Sequence, residues 1–127
     1  MKQKTHATQR SLAHLRRNGW QAAIVEKWIP PRGKMKFGVR VDVWGFGDIL
    51  ACREVPSETG IVYGQIALVQ TFPQARWKDH ISDLLHIHEL HQWKVCGGIV
   101  IFHGWALKPK DGIRGARKTW QLREEVL

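Results

Sequence analysis

From Ile61 to Phe72 the chain reads I-V-Y-G-Q-I-A-L-V-Q-T-F, almost unbroken in apolar character. The run falls well short of the roughly 18 residues that a membrane-spanning helix needs. It also lacks the polar alternation of a strand with one wet face. Such a segment fits the centre of a sheet better than its edge, because central strands are covered on both sides. The other elements must therefore be arranged around it.

Before that strand, Thr8 to Gly19 reads as a short helix, with Leu12 and Leu15 at helical spacing and Asn18-Gly19 as its stop. Arg10, Arg16 and Arg17 would project away from that apolar stripe. A strand is expected over 22–29, ending at the turn Pro30-Pro31-Arg32-Gly33. Residues 36–53 form the next extended stretch, with Phe37, Val39, Val41 and Val43 on one face. Gly45 and Gly47 interrupt it as a bend or bulge that can re-aim a side chain. Residues 56–60 make a hairpin turn into the central strand. After it, Pro73 suits the first turn of a helix. Ile81, Leu84, Leu85 and His88 then predict one long amphipathic helix over 74–93. A strand over 98–107, a basic loop over 108–118 and a short strand or turn over 119–123 complete the chain. The order is α-β-β-β-α-β-β, an α/β class with helices flanking a central sheet.

At 127 residues there is room for one hydrophobic core. Residues 1–8 read as a flexible basic arm and 9–127 as a single domain. The formal charge of +9 points to a polyanionic partner, or to a basic surface kept for solubility. Cys52 and Cys96 show no CxxC spacing and read as reduced, small core residues of a cytoplasmic protein. The polar N-terminus has no apolar stretch of signal-peptide type, and no membrane association is expected.

Chemistry concentrates in Asp42 and Asp48, which share one segment otherwise rich in apolar residues and glycine. Aspartate is depleted in strands and seldom buried without a partner. A divalent metal, an arginine such as Arg40 beside Asp42, or a backbone cap would satisfy the pair. Asp48 follows a glycine bend, a usual way to present a carboxylate to Mg²⁺. Were its strand to pair with the central one, it would approach Gln70, a polar residue in apolar surroundings. The plainer alternative is that Asp48 caps a turn and Gln70 ends a strand.

The run Asp42-Val-Trp-Gly-Phe-Gly-Asp-Ile49 fits a D-x-x-G-F-x-D-I strand. It is followed by Val69-Gln70, by Gly104-Trp105 and by Trp120-Gln-Leu-Arg123. In order and spacing, across roughly residues 9–125, these elements resemble the PD-(D/E)XK nuclease superfamily. Small bacterial and phage members of the Holliday-junction-resolvase and VRR types are the nearest likeness. The resemblance implies a restriction-endonuclease-like α-β-β-β-α-β core with a mixed sheet, and metal-dependent hydrolysis of DNA. Asp48 matches the metal-binding aspartate, and Gln70 the first position of the (D/E)-x-K element. Glu26 matches an accessory acidic residue, here on a strand, and Asp42 would support the metal, Mg²⁺ or Mn²⁺. Phe72 stands where the lysine would be, so Lys78, early on the following helix, is the expected substitute. The catalytic set is then Asp48, Gln70 and Lys78, in an active site that departs from the family pattern. The same likeness admits a catalytically inactive DNA-binding relative, or a phage assembly protein associated with DNA. A homodimer is left open.

His80, His86, His88 and His91 crowd one helix without HExxH spacing and read as a polar face rather than a zinc site. Lys108, Lys110, Arg114, Arg117 and Lys118, with Arg123 beyond and Arg16 and Arg17 near the N-terminus, are the candidate phosphate contacts. The alternative is a solvated charged loop. Trp105 and Trp120 would pack the sheet, while Trp44 and Trp77 flank the aspartates as core residues or as stacking surfaces.

Overall fold

The computed structural model describes residues 6–127. Helix α1 spans His6–Arg17. It starts before Thr8, so residues 6–8 of the expected arm are helical; residues 1–5 lie outside the described residues. Strands β1 (Gln21–Ile24) and β2 (Lys27–Ile29) divide the single strand expected over 22–29. They part at Val25 and Glu26, whose amides both donate to the carbonyl of Asp48. β2 instead pairs with β3 (Val39–Val41) in a separate two-stranded ribbon. The long stretch expected over 36–53 is likewise divided, into β3, a tight turn at 43–47, and β4 (Ile49–Pro56).

β5, Val62–Pro73, is the middle strand of a five-stranded sheet ordered β1-β4-β5-β6-β7. Its central place agrees with its apolar composition. β4 and β5 form the antiparallel hairpin expected at 56–60. β6 (Ile99–Pro109) runs parallel to β5, so the chain must cross over between them, and it does so through helices. The helix expected over 74–93 is in fact a single 3₁₀ turn followed by α2 (Trp77–Leu84) and α3 (His88–Val95). The break falls at Ile87, whose backbone is extended and whose side chain packs against the core cluster of Phe46, Leu84 and Leu90. β7, Lys118–Val126, is a full strand antiparallel to β6 rather than a short turn.

Side chains on successive strand residues point to opposite faces, so two cores form. On one face Leu12 and Leu15 of α1 pack on Ile49, Ala51, Ala67, Val69 and Ile101. On the other, Trp77, Leu84 and Leu90 pack on Leu68, Phe72, Val100 and Phe102. Both cysteines are free, and both are exposed rather than in the core. Cys52 shares the alternation of Leu50 and Glu54, the side of β4 that α1 does not cover. Among the described residues no helix is long and apolar enough to cross a membrane.

Candidate functional site

The turn at 43–47 brings the two aspartates together. Val43 and Gly47 exchange backbone hydrogen bonds of 2.9 Å in each direction, which folds Asp42 back beside Asp48. Gly45 adopts φ +81°, where only glycine is unstrained. At Gly47 a Cβ would come within 3.0 Å of Leu68, so the turn lies directly on β5. Phe46, fully buried, anchors it. The glycines thus act as the sequence indicates, although they end one strand and begin another rather than bending a single one.

Asp48 is 3% exposed. Its carboxylate accepts the Thr71 backbone N–H at 2.7 Å and the Thr71 hydroxyl at 3.1 Å. Its backbone N–H donates to the Val69 carbonyl, which fixes it at the beginning of β4 and next to the C-terminal part of β5. Gln70 is buried on β5; its side-chain N–H group lies 3.4 Å from Asp42, while its Oε1 is buried with no partner. Glu26, in the break between β1 and β2, is the third acid. Carboxylate oxygens of Glu26, Asp42 and Asp48 all lie within 4.8 Å of one another. Burial first, then hydrogen bonding and repulsion from Asp42, and finally Glu26, push the Asp48 carboxyl up to about 9, against the opposing Thr71 amide. Three carboxylates and a partnerless amide oxygen are the donor set of a hard divalent cation, Mg²⁺ or Mn²⁺. The residues present fit such an ion.

The acids open into a cleft of about 380 Å³, lined also by Ala7, Thr8, Arg40, Thr71, Phe72 and Pro73. Arg40 donates to Glu26 at 2.5 Å and lies over the Trp28 ring. Sequence reasoning named Asp48, Asp42, Glu26 and Gln70, and the structure brings all four together. It offered Arg40 as a partner for Asp42 and missed its contact with Glu26, which depends on the β2–β3 ribbon, and it missed Thr71, whose contacts depend on strand register.

Lys78 is placed elsewhere: it is exposed on α2 and is not among the residues that line the cleft. Phe72 is buried against Trp77 and the His80 ring, with centroids 5.2 and 4.5 Å away. His80 has its Nε2 buried without a partner. Burial, then the charge of Arg76, hold its imidazole below the usual range, against the pull of Asp42 and Asp83. His86, His88 and His91 are exposed and belong to no metal-ligating group among the described residues.

The basic residues separate into two sets. β6 pairs with β5 only as far as Trp105, opposite Pro73, and then continues to Pro109 with β7 as its partner. The β6–β7 ribbon therefore overhangs the end of β5 that carries Gln70 and Thr71, by roughly 13 Å at ~3.4 Å per residue. Lys108, Lys110, Arg114, Arg117 and Lys118 are all exposed on this overhang. Arg123 lies over Trp77 at 4.0 Å and pairs with Glu125. Arg16 and Arg17 sit at the far end of α1 from Thr8, and Arg16 donates to the Ala22 carbonyl. Arg10, expected to project outward, instead lies over the Trp120 ring at 3.7 Å. Trp77 is core, whereas Trp44, at the tip of the 43–47 turn, is 54% exposed. No protein-family model matches the chain, and no curated protein or solved structure is significantly similar to it.

Proposed function

We propose that the protein is a divalent-metal-dependent nuclease of the PD-(D/E)XK type, acting on DNA phosphodiester bonds. One observation carries the reading: Glu26, Asp42, Asp48 and the buried amide of Gln70 converge at the end of the central strand with a vacant acceptor among them. The order α1, β1, β4, β5, helical crossover, β6 supports a restriction-endonuclease-like core, with the β2–β3 ribbon inserted between its first two strands.

Asp48, Asp42 and Glu26 would hold the cation, with Gln70 Oε1 as a neutral oxygen donor. When bound, the ion supplies Lewis-acid polarisation of the scissile phosphate. Thr71 fixes the Asp48 carboxylate through two hydrogen bonds, so that little reorganisation is left for the reaction. Arg40 brings the positive charge at the cleft wall and can donate to a phosphoryl oxygen as negative charge develops there, a part that the resemblance to the nuclease superfamily assigns to a lysine. The ribbon bearing Lys108, Lys110, Arg114, Arg117 and Lys118 would follow the backbone on either side of the cut.

A relative that binds nucleic acid without cutting it is the second reading. It is favoured by Phe72, which occupies the lysine position as a packed core residue. Nicking of a supercoiled plasmid with Mg²⁺ or Mn²⁺ separates the two. The nuclease reading expects nicking by the wild type and its loss, about a hundredfold or more, in Asp48→Ala with DNA affinity kept. No nicking by a wild type that binds DNA would establish the second reading instead.

A further inference from the structure

A second group of ligating side chains lies away from the cleft and has no role in the proposed reaction. His14 comes from α1, His103 from β6 and Glu124 from β7, and one donor atom of each lies within 4.8 Å of the others. Glu124 Oε2 is 2.6 Å from His103 Nε2 and 3.5 Å from His14 Nε2. His14 Nε2 also lies 3.5 Å from the side-chain amide of Asn18.

We propose that His14, His103 and Glu124 form a binding site for a borderline transition-metal cation, Zn²⁺ foremost. Two imidazoles with one carboxylate are the donor set of such ions, in contrast to the all-oxygen set of the cleft. His103 is fully buried, and its other nitrogen, Nδ1, is 2.8 Å from Ser11 Oγ. Ser11 Oγ also accepts the indole N–H of Trp105 at 2.8 Å. This is the outer support that a ligating histidine requires: with the cation at Nε2, Nδ1–H donates to Ser11, and the ring is held in one orientation.

The other two ligands face outward. The side chains of His14 and Glu124 are 28% and 41% exposed, and they border a pocket of about 150 Å³ that opens to solvent. Around a tetrahedral Zn²⁺ the donor atoms stand roughly 3.2–3.5 Å apart. The His14–Glu124 spacing already meets this, and the half-exposed Glu124 has room to withdraw from His103. Arg53, at the same pocket, is held by Gln65 and by the Trp20 ring. Three protein ligands leave a fourth position toward the pocket for water or a small anion. Because the ligands come from three elements, the ion would pin α1 to the β6–β7 ribbon.

The test is titration of the full, metal-free chain with Co²⁺, read by its visible d–d absorption, and then displacement by Zn²⁺. One equivalent with the intense absorption of tetrahedral Co²⁺ is expected in the wild type and in Asp48→Asn, separate from any ion in the all-oxygen cleft, with Zn²⁺ raising the melting temperature of both. His14→Ala and Glu124→Gln, at outward-facing positions, are expected to weaken binding by about tenfold or more. Circular dichroism checks that each variant is folded, and His14→Ala decides alone if Glu124→Gln is not. Absence of wild-type binding, binding unchanged in His14→Ala, or binding lost only in Asp48→Asn would each overturn the proposal. The last result would assign the ion to the cleft, and so distinguishes this site from the nuclease centre.

Discussion

Asp48 carries the sharpest consequence at the scale of one residue. Its carboxyl is raised from an ordinary 3.8 to about 9, so between these values the folded chain retains a proton that the unfolded chain has lost. Stability of the metal-free protein is therefore greatest below about pH 4 as far as this group is concerned, and falls as pH rises toward 9. Urea unfolding at a series of pH values should show that decline, and Asp48→Asn should flatten it. At pH 8 the asparagine variant should be more stable by at least about 1 kcal/mol, or roughly 3–6 °C in melting temperature. Gln70 gives a second expectation. Gln70→Leu removes a buried oxygen that has no partner, so its stability should stay within about 1 kcal/mol of wild type. Its affinity for Mn²⁺, measured by calorimetry, should nevertheless fall. That Asp42 and Asp48 belong together was legible in the sequence, because an aspartate in a glycine-framed apolar run needs an explanation. The Arg40–Glu26 pair and the Thr71 contacts were not, since they join distant segments.

At the level of elements, the turn at 43–47 does the positioning. Phe46 is its buried anchor, and Phe46→Ala should cost about 3–5 kcal/mol in urea unfolding. Leu15→Ala, in the core on the opposite face of the sheet, should destabilise by about 2–5 kcal/mol. Only the Phe46 variant should also lose divalent-metal affinity under conditions where both remain folded, because only that turn places Asp42. The central strand and the hairpin at 56–60 were readable from apolar continuity and turn residues. The divisions at 25–26 and at 85–87 were not. β-branched residues continue across the first, and helical spacing continues across the second. In both places a tertiary contact, with the Asp48 carbonyl or through Ile87, overrides local preference.

For the whole molecule, a charge of +9 does not by itself say where a polyanion would lie. Strand register sets the basic β6–β7 ribbon beyond the same sheet end as the acid cleft, the face on which the proposed function would seat DNA. Replacing Lys108, Lys110, Arg114 and Arg117 with alanine should lower DNA affinity and reduce the slope of log affinity against log salt by up to about 3–4. Replacing Arg16 and Arg17, at the far end of α1, should change that slope by less than about 1. Fluorescence anisotropy over a salt series checks both. The most direct test of a divalent-metal centre in the cleft is calorimetric titration of Mn²⁺ near pH 7.5, in buffers that differ in ionisation enthalpy. Because Asp48 is protonated there in the metal-free protein, binding should release about one proton per ion. Asp48→Asn should bind far more weakly and release none. No Mn²⁺ binding by the wild type, or binding with the same proton release in Asp48→Asn, would contradict a metal centre built on this residue.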